Sequence, residues 1–134
     1  MAYLLDSNVC IAYLRGRNLL VRQRLAELST KDVCLCSVVK AELAYGALRS
    51  ANSAANQLEA EVFWQPYRSL PLDDAAAEHF AAIRRHLESL GTTIGPYDLQ
   101  IAAIALANGC TLVTNNTREF GRVPGLLIED WQLP

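Results

Sequence analysis

Apolar and polar positions along the chain follow two rhythms. Short runs that are almost wholly apolar recur as "AYLL" at 2–5, "DVCLCS" at 32–37 and "CTLVTNN" at 110–116. Their length and composition predict strands buried on both faces. "GLLIED" at 125–130 reads as a last strand, and "RSLPLD" at 68–73 as an edge strand, because Pro71 cannot donate to a ladder. Between these runs the apolar positions recur at helical spacing. "SNVCIAYLRG" at 7–16 has Gly16 as its stop, and "NLLVRQRLAELS" at 18–29 carries Leu20, Val21, Leu25 and Leu28 on one face. "SVVKAELAYGALRS" at 37–50 takes Ser37 as its N-cap, and "NSAANQLEAEVFWQPY" is helical up to Pro66. The clearest helix is "DDAAAEHFAAIRRHLESLG" at 73–91, acidic at its start, basic later, with Gly91 after its end. "TTIGPYDLQIAAIALANG" at 92–109 places Pro96 in a first helical turn and Asn108-Gly109 at a stop. Strands alternating with helices predict an α/β layer fold with a mainly parallel sheet. No repeat, linker or low-complexity tract divides the chain, so one domain over 1–134 is expected.

Composition adds bounds rather than an answer. The chain has 134 residues, 51% hydrophobic and 19% charged, with a net charge of −2. That suits a globular chain with a real core, and bulk charge neither supports nor excludes a nucleic-acid partner. Of the 12 basic residues only Lys31 and Lys40 are lysines. The cysteines Cys10, Cys34, Cys36 and Cys110 form no C-x-x-C pair and, with only His79 and His86, no zinc pattern. They read as buried free thiols of a reducing cytoplasm. No basic leader and no run of about 18 apolar residues is present, so neither secretion nor a membrane span is expected.

Three carboxylates do not fit their surroundings. Asp6 is the only charged residue between Met1 and Leu14 and follows directly on a strand. It stands where parallel sheets bind ligands, or it or Ser7 caps the following helix. Glu42 has Val38, Val39, Tyr45 and Gly46 as its helical neighbours, none of them charged. A glutamate there must be paired, metal-bound, protonated or partly exposed. Asp98 is the only charged residue between Glu88 and Arg118, in the first turn of an otherwise apolar helix. The helix dipole favours a first-turn acid, but it does not account for a lone acid on a buried helix. Thr114, Asn115 and Asn116 end a strand as Asp6 does, with Glu119 three residues on; the competing explanation is a plain Asn-rich turn. If the acids converge, they cannot all stay ionised without a counter-charge, and no lysine follows Lys40. Mg²⁺ or Mn²⁺ suits carboxylate and water ligands, and would activate a water and clamp a phosphate oxygen.

Four motifs carry a resemblance: "LLDSN" at 4–8, "KAELAYGA" at 40–47, "GPYDLQIAAIALANG" at 95–109 and "LVTNNTREFGRVPGL" at 112–126. In this order and spacing the chain resembles the PIN-domain ribonucleases, and more closely the VapC-type toxins of toxin–antitoxin pairs. The resemblance implies a three-layer α/β/α sandwich and Mg²⁺- or Mn²⁺-dependent endonuclease action on RNA, leaving a 5′-phosphate and a 3′-hydroxyl. It implies Asp6, Glu42 and Asp98 as metal-binding and catalytic acids: Asp6 and Asp98 hold the ion, and Glu42 orients or deprotonates the attacking water. Many members carry a fourth acid where this chain has Asn116, so that place is left to Asn116 as a neutral ligand or to Glu119, and a second tightly bound metal is put in doubt. Thr114 matches a hydroxyl that orients a ligand or water. Arg15, Arg17, Arg22 and Arg24 are the candidate RNA phosphate contacts, Arg24 partly as helix surface. The resemblance further implies structured RNA, tRNA above all, as substrate, a homodimer, and a small antitoxin whose C-terminal segment lies in the active-site groove. The helices at 19–28 and 37–48, with Tyr45, Phe63 and Trp64, are candidates for that contact, and core packing is the stronger explanation for Phe63.

Two other readings bound this one. A phosphoryl-transfer domain with an aspartyl nucleophile wants an acid at position 8 and a late lysine, and the chain has Asn8 and no lysine after Lys40. A PIN-fold RNA- or protein-binding module without catalysis is kept open by Asn116.

Overall fold

A computed structural model describes residues 2–134. Five strands make one parallel sheet: β1 (Tyr3–Leu5), β2 (Val33–Cys36), β3 (Arg68–Leu70), β4 (Thr111–Val113) and β5 (Ile128–Glu129), in the order β3-β2-β1-β4-β5. Seven α-helices accompany them among the described residues: α1 (Ser7–Leu14), α2 (Leu19–Glu27), α3 (Ser37–Leu48), α4 (Ser53–Trp64), α5 (Asp74–Ser89), α6 (Pro96–Ala107) and α7 (Thr117–Phe120). The arrangement is the parallel α/β layering that the alternation of strand and helix predicts, and the three-layer α/β/α fold that the resemblance implies.

The core sits where apolar runs are longest. Every residue of β2 and β4 is buried, as befits strands covered on both faces. α6 is apolar nearly all round and runs through the interior, with Ile101, Ala102, Ala103, Ile104 and Ala105 fully buried. α5 is two-faced instead, burying Ala76, Ile83 and Leu87. β3 is an edge strand and stops just before Pro71. Gly16 and Gly91, read as helix stops, have φ of 64° and 68°. Phe63 is buried against Tyr13 and Tyr67, so it belongs to the core. All four cysteines are buried and none is in a disulfide. No helix among the described residues is long and apolar enough to cross a membrane.

Two local expectations need correction. Ser37 is not the N-cap of α3: Cys36 holds that position and makes no side-chain cap bond, because β2 runs straight into the helix. The stretch after Asn116, to which the sequence assigns no element, forms the short helix α7.

The strand order places one feature above the rest. From β1 the chain winds outward through β2 to β3, then returns to lay β4 on the other side of β1. The crevice between the carboxyl ends of β1 and β4 is therefore the switch point where α/β sheets bind ligands.

Candidate active site

The residues that close β1 and β4 are Asp6 and Thr114, and both are buried, at 2% and 0% exposure. The two readings of Asp6 hold together. Its Oδ1 accepts from the Ser7 backbone N–H at 2.8 Å, capping α1, while its Oδ2 accepts from Thr114 Oγ1 at 2.8 Å across the crevice. Ser7 Oγ then donates to Glu42 Oε1 at 3.1 Å, tying α3 to the same point. On the β4 side, the Asn116 backbone N–H donates to Thr114 Oγ1 at 3.0 Å. The Asn116 amide donates to Asp98 Oδ2 at 3.4 Å and to Glu119 Oε2 at 3.0 Å. One chain of hydrogen bonds thus runs from Glu42 through Ser7, Asp6, Thr114 and Asn116 to Asp98 and Glu119. It collects four acids: Asp6 between β1 and α1, Glu42 within α3, Asp98 in the first turn of α6 and Glu119 in α7.

Electrostatics shows that these acids are not each at ease. Burial raises the Asp6 carboxyl above its usual range, against the lowering pull of its Thr114 and Ser7 bonds. Glu42 is raised by burial and by the charge of Asp6. Asp98 is pushed up to about 7, first by burial, then by its hydrogen bond with Glu119 and by the charges of Asp6, Glu119 and Glu42. Glu119 is held low by the bonds from Asp98 and Asn116. Beneath them the Cys36 thiol is raised to about 11 by burial, with the charges of Asp6 and Glu42 adding to it. No lysine or arginine among the described residues is ion-paired with any of the four acids; the two ion pairs, Arg24–Glu129 and Arg84–Glu88, lie elsewhere. Among the described residues, Arg122 and Arg118 lower Glu119 from a distance, and no cation is paired with Asp6, Glu42 or Asp98.

The donor set fits a hard divalent cation: carboxylates and hydroxyls, with no imidazole among them. The acids are gathered but not closed, since among the described residues no three Asp, Glu, His or Cys side chains already form a ligand set around one point. Their oxygens are taken by Ser7, Thr114 and Asn116, neutral donors that a cation would compete with.

The structure places Asp6, Glu42, Asp98, Asn116, Glu119 and Thr114 in one network. Of the four arginines, Arg22 donates to the Tyr13 carbonyl at 2.8 Å and lies over its ring, and Arg24 is paired with Glu129. Arg15 and Arg17 are exposed, their side chains without such partners among the described residues. Arg15 lines the groove between α1, α3 and α4 that reaches Glu42. Ser7 is the linker that the sequence reading treated only as an alternative cap; its signal was its place beside Asp6 in "LLDSN". Replacing Thr114 with Val is expected to cost about 1–3 kcal/mol in urea denaturation, because the Asp6 oxygen and the Asn116 N–H both lose a buried partner. Unchanged stability would show that the hydroxyl does not hold the crevice together.

The sequence pattern of the PIN domain matches residues 3–126. The tRNA(fMet)-specific endonuclease VapC of Salmonella typhimurium is 40% identical over 131 residues, 98% of each chain. Ribonuclease VapC2 of Rickettsia felis is 33% identical over 132 residues, again 98% of each. Among solved structures, VapBC2 of Rickettsia felis bound to a DNA fragment from its promoter aligns with a TM-score of 0.92 at 32% identity, over 98% of this chain and 99% of that one. DNA-bound VapBC of Salmonella typhimurium aligns with a TM-score of 0.92 at 40% identity, over 98% of both chains.

Proposed function

This chain belongs to the PIN-domain family, and from that membership we propose that it is a divalent-metal-dependent endoribonuclease, the toxin of a toxin–antitoxin pair, hydrolysing phosphodiester bonds in structured RNA such as tRNA. The observation that carries the reading is the gathering of Asp6, Glu42 and Asp98 at the switch-point crevice with no cationic side chain paired to them. The names of the similar proteins, a tRNA endonuclease and a ribonuclease, support RNA as substrate. The aligned structures are VapBC complexes, which supports a protein partner, here an antitoxin. A homodimer belongs to the same proposal.

Asp6 and Asp98 would hold Mg²⁺ or Mn²⁺, with Glu42 completing the acidic shell. When bound, the ion supplies Lewis acidity at a phosphate oxygen and lowers the pKa of a water. Glu42 orients the attacking water and accepts its proton; its raised affinity for a proton suits that task. Thr114 and Ser7 fix the Asp6 carboxylate, so its oxygens need no reorganisation during reaction. Asn116 occupies the fourth acidic place of related chains as a neutral clamp, and Glu119 beside it restores the carboxylate. Arg15 and Arg17 remain available to RNA phosphates.

The test is incubation of purified, antitoxin-free protein with bulk tRNA. Fragments ending in 5′-phosphate should form with Mg²⁺ or Mn²⁺ and cease with excess EDTA. Cleavage indifferent to EDTA, or none with either ion, would overturn the reading.

A further inference from the structure

Beside the acids lies an apolar feature that the cleavage chemistry does not use. α3 and α6 leave between them a shallow groove of about 290 Å³, near the small end of ligand-pocket sizes, ~300–1,000 Å³. Val38, Ala41, Gln100 and two tyrosines, Tyr45 and Tyr97, line it, and Glu42 belongs to both the groove and the acidic cluster. Tyr45 follows Glu42 by one helical turn, and Tyr97 directly precedes Asp98. Both rings are open to solvent, at 64% and 59% exposure. Among the described residues neither stacks on another aromatic ring. The Arg49 guanidinium lies over Tyr45, 5.5 Å from the ring centroid.

Resting on the ribonuclease reading, we propose that this groove takes one unpaired base of the RNA, next to the bond to be cut, stacked on Tyr45 and Tyr97 with Arg49 reaching the adjoining phosphate. The occupant must match two flat π faces and one positive charge set on the rim of an acidic site, and a splayed-out nucleotide carries both a π face and an anion. Aromatic rings accept any base by its face, while the Gln100 amide can both donate to and accept from a base edge. A base in a duplex must first unpair and unstack to be splayed out in this way, so the groove favours cleavage in loops. It also supplies affinity beside acids that by themselves repel the phosphate backbone.

The probe is a fluorescein-labelled RNA stem-loop, together with versions carrying one abasic residue at successive loop positions. Binding is read by anisotropy in EDTA, which holds cleavage off. Tyr45→Ala and Tyr97→Ala should each weaken binding by about tenfold, in line with stacking losses of ~1–3 kcal/mol per base. Tyr45→Phe and Tyr97→Phe should bind as the wild type does. At one abasic position the wild type and the Ala variants should become equal. Wild-type affinity in the Ala variants, losses unrelated to abasic position, or no RNA binding by the wild type would each overturn the proposal. So would light scattering in which either Ala change turns a dimer into a monomer, because the groove would then seat a second copy. Cleavage of tRNA with Mg²⁺, measured separately, decides the ribonuclease reading. Ring-dependent binding without cleavage would end that reading and leave the groove assigned, whereas cleavage with ring-independent binding would do the reverse.

Discussion

Asp98→Asn is expected to lower the rate of RNA cleavage by about 10²–10³-fold, the scale set by removing one preorganised electrostatic group, while the chain stays folded. Asp98 enters the network from the first turn of α6, a helix whose next turns are fully buried, so the backbone that carries it cannot drift. The substitution removes a charge and little volume. It also relieves the crowding with Asp6, Glu119 and Glu42 that pushes the Asp98 carboxyl up to about 7. In the absence of metal the variant should therefore melt no lower than the wild type above neutral pH. Loss of activity with retained stability separates this residue from Thr114, where the expected effect is on folding. Single-turnover cleavage of tRNA and a thermal melt on the same preparation check both halves. A rate within a few-fold of wild type would remove Asp98 from the chemistry.

The second large effect joins pH and metal. A carboxyl held near 7 in the folded chain and near 3.8 when unfolded binds its proton more tightly in the native state. Its contribution to stability is complete below about pH 4 and is lost as pH rises through about 7. In EDTA the melting temperature should accordingly fall across that window, with Asp6 and Glu42, also raised, acting in the same direction. Mg²⁺ or Mn²⁺ should reverse the fall at alkaline pH, because the ion neutralises the acids once they ionise. At a hundred times its dissociation constant a ligand adds ~2.7 kcal/mol, roughly 10 °C for a chain of this size. A melting temperature flat with pH in EDTA and indifferent to both ions would contradict the shared site.

Much of the fold is legible in the sequence because parallel strands and buried helices leave strong signatures. "VCLC" is wholly apolar and "TLV" nearly so, both are wholly buried, and the edge position of β3 agrees with Pro71 just beyond it. The site is legible for a related reason: lone acids in apolar runs are costly, so Asp6, Glu42 and Asp98 stand out against their neighbours. What the sequence shows less well is the bridging between them, since Asn116 stands out only as a candidate ligand and Ser7 only as a candidate cap. Ser7 and Asn116 are short polar residues at helix starts, where caps and turns use the same residue types, and only tertiary contact shows that they bridge acids from different elements. α7, a single turn, carries too little periodicity to detect. That the Tyr13 carbonyl and ring engage the Arg22 guanidinium is likewise visible only in the tertiary structure.

The most direct measurement is a crystal of the antitoxin-free protein soaked in Mn²⁺ and recorded at a wavelength where manganese scatters anomalously. An anomalous peak at coordination distance, about 2.1 Å, from oxygens of both Asp6 and Asp98 is the expected result. A fully soaked crystal with no peak in that crevice, its carboxylates still bonded to Ser7, Thr114 and Asn116, would contradict it.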